Sequence, residues 1–145
     1  MHPAAFRKKV LVVDDEPEER IFLSRLLELG GYEPLLASTA TEGLTRAMWE
    51  RPDLIVLAVM FDQRGNLQLF DDLKLDAKLK HIPVVLLSSI DKKTLYQLRA
   101  LPGASRTGCL SRPEGFLAKP PEADELLGLL GTLTQTGPPV RPAGP

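Results

Sequence analysis

The sequence predicts an α/β domain: a doubly wound parallel sheet of five strands with five helices. Three observations predict it. Short apolar runs alternate with amphipathic stretches along most of the chain. The central run Leu54–Val59 is apolar at every position, as a strand covered on both faces should be. Pro17, Gly30-Gly31 and Pro52-Asp53 fall at junctions between the runs. Right-handed crossovers between parallel strands then place helices on both sides of the sheet.

The elements follow in order. Residues 10–13, Val-Leu-Val-Val, form a buried strand candidate bounded by charge. Pro17 suits the first turn of a helix, where its missing N–H costs nothing. Phe22, Leu26 and Leu29 recur at helical spacing, and Gly30-Gly31 ends that helix. Residues 32–37 read as a second strand. Thr39-Ala40-Thr41-Glu42 has the capping-box spacing, and Leu44, Ala47 and Met48 form the stripe expected to be buried behind it. After the central strand, residues 67–75 carry apolar side chains at 67, 69, 70 and 73 and read as a helix. Residues 83–87 form a fourth strand, 91–101 a helix with a weaker stripe, 116–118 a short fifth strand and 123–133 a last helix. That helix holds Leu126, Leu127, Leu129, Leu130 and Leu133, more than one stripe, so some leucine is expected to face outward or meet a partner. Its Gly128 and Gly131 would permit a close approach.

Bulk properties narrow the function. One domain suits 145 residues, and 43% hydrophobic with 26% charged residues is ordinary for a globular chain. A formal charge of -1 gives no field to recruit nucleic acid. Cys109 is the single cysteine, which rules out an internal disulfide and fits a cytoplasmic protein. The first apolar run stops after four residues at Asp14-Asp15, too soon for a signal peptide or a membrane span. His2 and His81 lack companions at ligand spacing, and Trp49 is expected to pack at a helix end. Residues 1–7 read as an extension, 8–134 as the domain, and 135–145, rich in proline, as a disordered tail or linker.

Ligands of doubly wound sheets gather outside the carboxyl ends of the strands. There the sequence places Asp14 and Asp15, Ala58, Ser88 and Lys119, from four distant segments. An acid pair, a hydroxyl and a lysine at successive strand ends resemble the receiver domain of bacterial response regulators, over roughly residues 8–133. The resemblance implies a flavodoxin-like strand order, 2-1-3-4-5, and a role in two-component signal transduction or phosphorelay. It puts the phosphoacceptor aspartate at Ala58, which has neither nucleophile nor lone pair. It assigns a magnesium ion to Asp14, Asp15 and the carbonyl of Met60, a site weak or absent here with one carboxylate fewer. It makes Ser88, Lys119 and the aromatic Phe116 a vestigial switch, with Lys119 paired to the acids.

Other positions in the loop after Ala58 also depart from the family pattern. Asp62 stands where proline is usual, and Gly65-Asn66 where Asp-Gly is usual. Asn tolerates left-handed backbone, so that turn could persist. Several changes in one loop point to a natural loss of the reaction. Asp62 as a substitute acceptor would lie up to about 13 Å along an extended chain from Ala58. Residues 102–113 make the fourth crossover longer than in typical receivers. Gly103-x-x-x-x-Gly108 runs into Cys109, so this is not a P-loop, and no nucleophile–base pair appears. No enzyme activity is expected.

The expected function is a phosphorylation-independent pseudo-receiver acting by protein–protein interaction. The alternatives are phosphate on another carboxylate, or a regulatory piece of a larger response regulator or kinase. Partners would be signalling proteins, or a second copy in a homodimer, docking on the side of the fourth helix, fifth strand and fifth helix. Leu95, Tyr96, Arg99, Leu126, Leu127 and Leu130 are the candidate contacts. No membrane or nucleic-acid partner is expected.

Overall fold

A computed structural model describes residues 7–59, 65–99 and 112–134. Five strands, β1 (Lys9–Val13), β2 (Glu33–Ala37), β3 (Leu54–Val59), β4 (Val84–Ser88) and β5 (Gly115–Ala118), alternate with five helices. These are α1 (Pro17–Leu29), α2 (Ala40–Glu50), α3 (Gly65–Leu75), α4 (Lys92–Arg99) and α5 (Ala123–Thr134). Every strand pair is parallel, in the order β2-β1-β3-β4-β5. Met60, Asp62, Cys109, His2, most of the 102–113 stretch and the proline-rich 135–145 lie outside the described residues.

Alternation along the strands divides the core in two. Leu11, Val13, Ile55, Leu57, Val84 and Leu86 pack toward α2, α3 and α4 with Ala47, Phe70 and Leu95. Val10, Val12, Leu54, Val56, Val85 and Leu87 pack toward α1 and α5 with Leu23, Leu27, Leu126 and Leu130. β3 is buried along its whole length, as its sequence requires. Deleting one of these large side chains, such as Leu57, removes about 2–5 kcal/mol of stability.

The helix stripes differ from the expected ones by a rotation. In α1 the buried residues are Leu23, Leu26 and Leu27, while Phe22 is 48% and Leu29 85% exposed. One residue turns a helical side chain by 100°, so the expected phase brought in its outer neighbours. In α2 the sheet-facing positions are Gly43 and Ala47; Met48 is exposed and Leu44 half-buried. A Cβ on Gly43 would come within 2.8 Å of Val13, so α2 rests on β1 through its smallest residue. Trp49 is 83% exposed and packs against nothing substantial. The capping box is half formed. Thr39 Oγ1 accepts from the Glu42 N–H at 3.1 Å, but the Glu42 carboxylate turns to the Ser38 N–H at 2.8 Å.

The surplus leucines of α5 are absorbed by the core. Leu126 and Leu130 are fully buried, and Leu127, Leu129 and Leu133 pack partly against the same cluster. The space comes from glycines outside the helix. A Cβ on Gly30 would meet Leu127 at 2.7 Å, and one on Gly115 would meet Leu129 at 2.8 Å. Gly128 and Gly131 face open space, so the expected close approach at those positions is absent.

Candidate functional site

Main-chain bonds tie the strand ends that form the crevice. The Asp14 N–H donates to the Ala37 carbonyl at 3.0 Å, the Ser89 N–H to Val59 at 3.2 Å, and the Lys119 N–H to Ser88 at 2.9 Å. Ala58 lies opposite Leu87 in the ladder and is 1% exposed. Asp14 continues the alternation of Val10 and Val12, and Lys119 that of Leu117. Both therefore fall on the face covered by α1 and α5, as Ala58 does.

Asp14 and Lys119 are linked by a residue the sequence reading missed. Lys119 Nζ donates to Glu19 Oε1 at 2.6 Å, with both side chains mostly buried. The expected lysine–acid pairing is thus joined by Glu19, on α1. Asp14 is buried; its Oδ1 accepts the Glu16 N–H at 2.9 Å, and its Oδ2 meets no donor. Arg20 donates to the Asp14 main-chain oxygen at 2.8 Å. Burial, then the hydrogen bond to Glu19, push the Asp14 carboxyl up to about 7, against a pull downward from the Glu16 N–H. Oδ2 has no hydrogen-bond partner, and burial beside the Glu19 carboxylate favours a proton on Asp14. Burial alone would raise Glu19, but the bonds from Asp14 and Lys119 outweigh it and hold Glu19 below the usual carboxylate range.

Asn66 closes the crevice from α3. Its Nδ2 donates to the Ala58 carbonyl at 2.7 Å and to the Val13 carbonyl at 3.3 Å, joining the ends of β1 and β3. Gly65 and Asn66 form the first turn of α3, and the left-handed turn that Asn66 would have tolerated is absent. Ser88 is equally committed. Its hydroxyl donates to the Ile90 carbonyl at 2.7 Å and accepts the Ile90 N–H at 2.8 Å. Phe116 packs partly buried against the α2–α3–α4 side of the core.

The described residues do not fit a divalent cation. Asp15 is exposed, and among the described residues no three His, Cys, Asp or Glu side chains cluster to hold a metal. The Lys119 ammonium, held by Glu19, and the Asn66 amide, held by the Ala58 carbonyl, put N–H donors rather than oxygen ligands into the crevice. A hard cation takes oxygen ligands, and of those the resemblance assigns, Met60 lies outside the described residues.

The candidate docking residues divide. Leu95, Leu126 and Leu130 are fully buried and cannot touch a partner without unfolding their helices. Leu127 is half-buried against Gly30. Arg99 is also buried; its guanidinium pairs with Asp71 of α3 and lies 5.1 Å from the Phe70 ring centre. Of the six, Tyr96 lines an open hollow, with Lys92, Lys93 and Gln97, and the Arg112 guanidinium stands 5.3 Å from its ring. Arg99 stands four residues after Leu95 on the same face of α4, so this polar residue belongs to the buried side of the helix.

The family profile described as the response regulator receiver domain matches residues 10–130. The chain belongs to that family. Protein PilH of Pseudomonas aeruginosa is 30% identical over 86 residues, covering 59% of this chain and 71% of that protein. The alkaline phosphatase synthesis transcriptional regulatory protein PhoP of Bacillus subtilis is 38% identical over 86 residues, of which the match spans 35%. Chemotaxis response regulator CheY4 of Vibrio cholerae superposes with a TM-score of 0.71 at 24% identity, over 88% of this chain and 98% of that one, a likeness of fold. Among the described residues no helix is long and apolar enough to cross a membrane.

Proposed function

We propose that this receiver domain works as a protein-binding module in two-component-type signalling, without accepting a phosphoryl group at the usual position and without catalytic turnover. One observation carries the reading. Ala58, where the family resemblance puts the acceptor, is buried in the sheet with its carbonyl held by Asn66. A methyl group cannot form an acyl phosphate. The groups that would follow such a phosphate are engaged elsewhere: Lys119 with Glu19, and Ser88 with Ile90.

Output must then come from abundance, location or a partner's preference for one conformation. The fourth-helix side supports the docking role in a narrower form than the sequence suggested. Exposed Lys92, Lys93 and Gln97 surround half-buried Tyr96, giving an apolar hollow with a basic rim that suits a partner segment carrying an apolar side chain beside acidic ones. The test is genetic. Lys92→Glu with Lys93→Glu abolishes the cellular function while circular dichroism stays native, and Ser88→Ala leaves function largely intact. Loss of function in Ser88→Ala with none in the charge-reversal pair contradicts the reading.

A further inference from the structure

We propose that Arg112, laid over the Tyr96 ring, is the residue by which the α4 hollow reads its partner: it takes one carboxylate of an acidic peptide segment whose neighbouring apolar side chain enters the hollow. This rests on the docking role proposed above and names its recognition residue. The hollow, of about 560 Å³, is lined by Lys92, Lys93, Tyr96 and Gln97 of α4. Arg112 comes from a second element, the end of the fourth crossover. Its guanidinium stands 5.3 Å from the Tyr96 ring centre, and its N–H groups meet no acceptor among the described residues. The backbone behind it is fixed. Pro113 restricts the next step of the chain, and the Glu114 carboxylate is bound by Lys74 Nζ at 2.9 Å and by the Val84 N–H at 2.7 Å. A guanidinium held flat on a ring keeps its donors in one plane, so it loses little freedom on meeting a carboxylate with two parallel bonds.

Charge selects the occupant. Lys92, Lys93 and Arg112 are all exposed. The acids beside them in the chain are committed: Asp91 accepts from the Thr94 N–H and hydroxyl, both at 2.8 Å, and Glu114 from Lys74. The rim therefore stays positive although the whole chain carries -1. One ring and three cations make too short a track for a nucleic-acid strand, which takes a charged groove and successive stacking rings. An acidic peptide with one apolar anchor fits both the rim and the floor.

The probe is a random-peptide display library selected on the full chain, with the enriched peptide then titrated by fluorescence anisotropy. The selection enriches Asp or Glu beside Leu, Phe or Trp. Arg112→Gln weakens that peptide by at least about tenfold. Arg112→Lys keeps the charge, loses the fork and restores only part of the affinity. Tyr96→Leu keeps an apolar floor but releases the guanidinium, and it too weakens binding. A selection that enriches no acidic and apolar pair overturns the proposal. So does a peptide that binds Arg112→Gln as well as the native chain, or one displaced by an equal amount of single-stranded oligonucleotide. Binding that ignores Arg112 yet is lost in Lys92→Glu with Lys93→Glu refutes the recognition residue and leaves the docking surface standing. Binding that ignores all three cations refutes both.

Discussion

The Asn66 side-chain amide lies 2.7 Å from the main-chain oxygen of Ala58 and 3.3 Å from that of Val13, so one residue of α3 fastens two strand ends. A buried amide with both acceptors in reach stabilises through each bond, and losing it leaves those acceptors short of a donor. Asn66→Ala should lower stability by about 1–3 kcal/mol. Asn66→Asp should cost more, because acceptor then faces acceptor. Urea unfolding of the three proteins checks the order, and an Asn66→Ala protein as stable as the native one contradicts it.

The buried Arg99–Asp71 pair ties α4 to α3, with both side chains 6% or less exposed. Removing Asp71 takes from the buried Arg99 a carboxylate it pairs with, so Asp71→Ala should cost about 3–5 kcal/mol. Replacing both, Asp71→Leu with Arg99→Met, should recover most of that loss, since the desolvation of two charges is avoided. Thermal unfolding of the single and double variants measures the difference. Additive losses would show that the two residues act separately.

Asp14 gives the stability a pH dependence of known sign. Its folded pKa of about 7 stands above the unfolded 3.8, so the folded state holds the proton more tightly. Its contribution is fully present below about 3.8 and is lost as pH rises through about 7. Glu19, held low, works in the opposite sense: its contribution is present above the ordinary value of 4.5 and lost on acidification. Asp14→Asn keeps an acceptor for the Glu16 N–H and a donor for Glu19 while removing the titration. The melting temperature of the native protein should therefore fall relative to that of Asp14→Asn between about pH 4 and 7. Parallel pH profiles would contradict the assignment.

The sheet was legible because its strands obey the alternation and burial rules locally. The whole-length apolar run of β3 announced a central strand, and the ends of β1, β4 and β5 announced where the crevice would be. The helix-borne polar contacts were not recognised, although a signal existed. Glu19 lies in phase with Leu23 and Leu27, Asn66 with Leu69, Phe70 and Leu73, and Arg99 with Leu95. In each case a polar residue at a helix end continues a buried stripe. Phasing α1 on Phe22 and Leu29 hid the first of these. The partners themselves, Lys119 and Asp71, are 100 and 28 residues away and belong to tertiary structure. The packing of the α5 leucines depended likewise on Gly30 and Gly115, residues outside that helix.

The central proposal is that this receiver-family chain signals without accepting a phosphoryl group on any carboxylate. The most direct measurement is the intact mass of the full chain after incubation with acetyl phosphate and Mg²⁺, with any modified site mapped by fragmentation. The mass should remain that of the unmodified chain, and beryllofluoride should leave the amide resonances of Ser88 and Lys119 unmoved. A stoichiometric gain of one phosphoryl group on any aspartate, Asp15 or Asp62 included, would contradict the account.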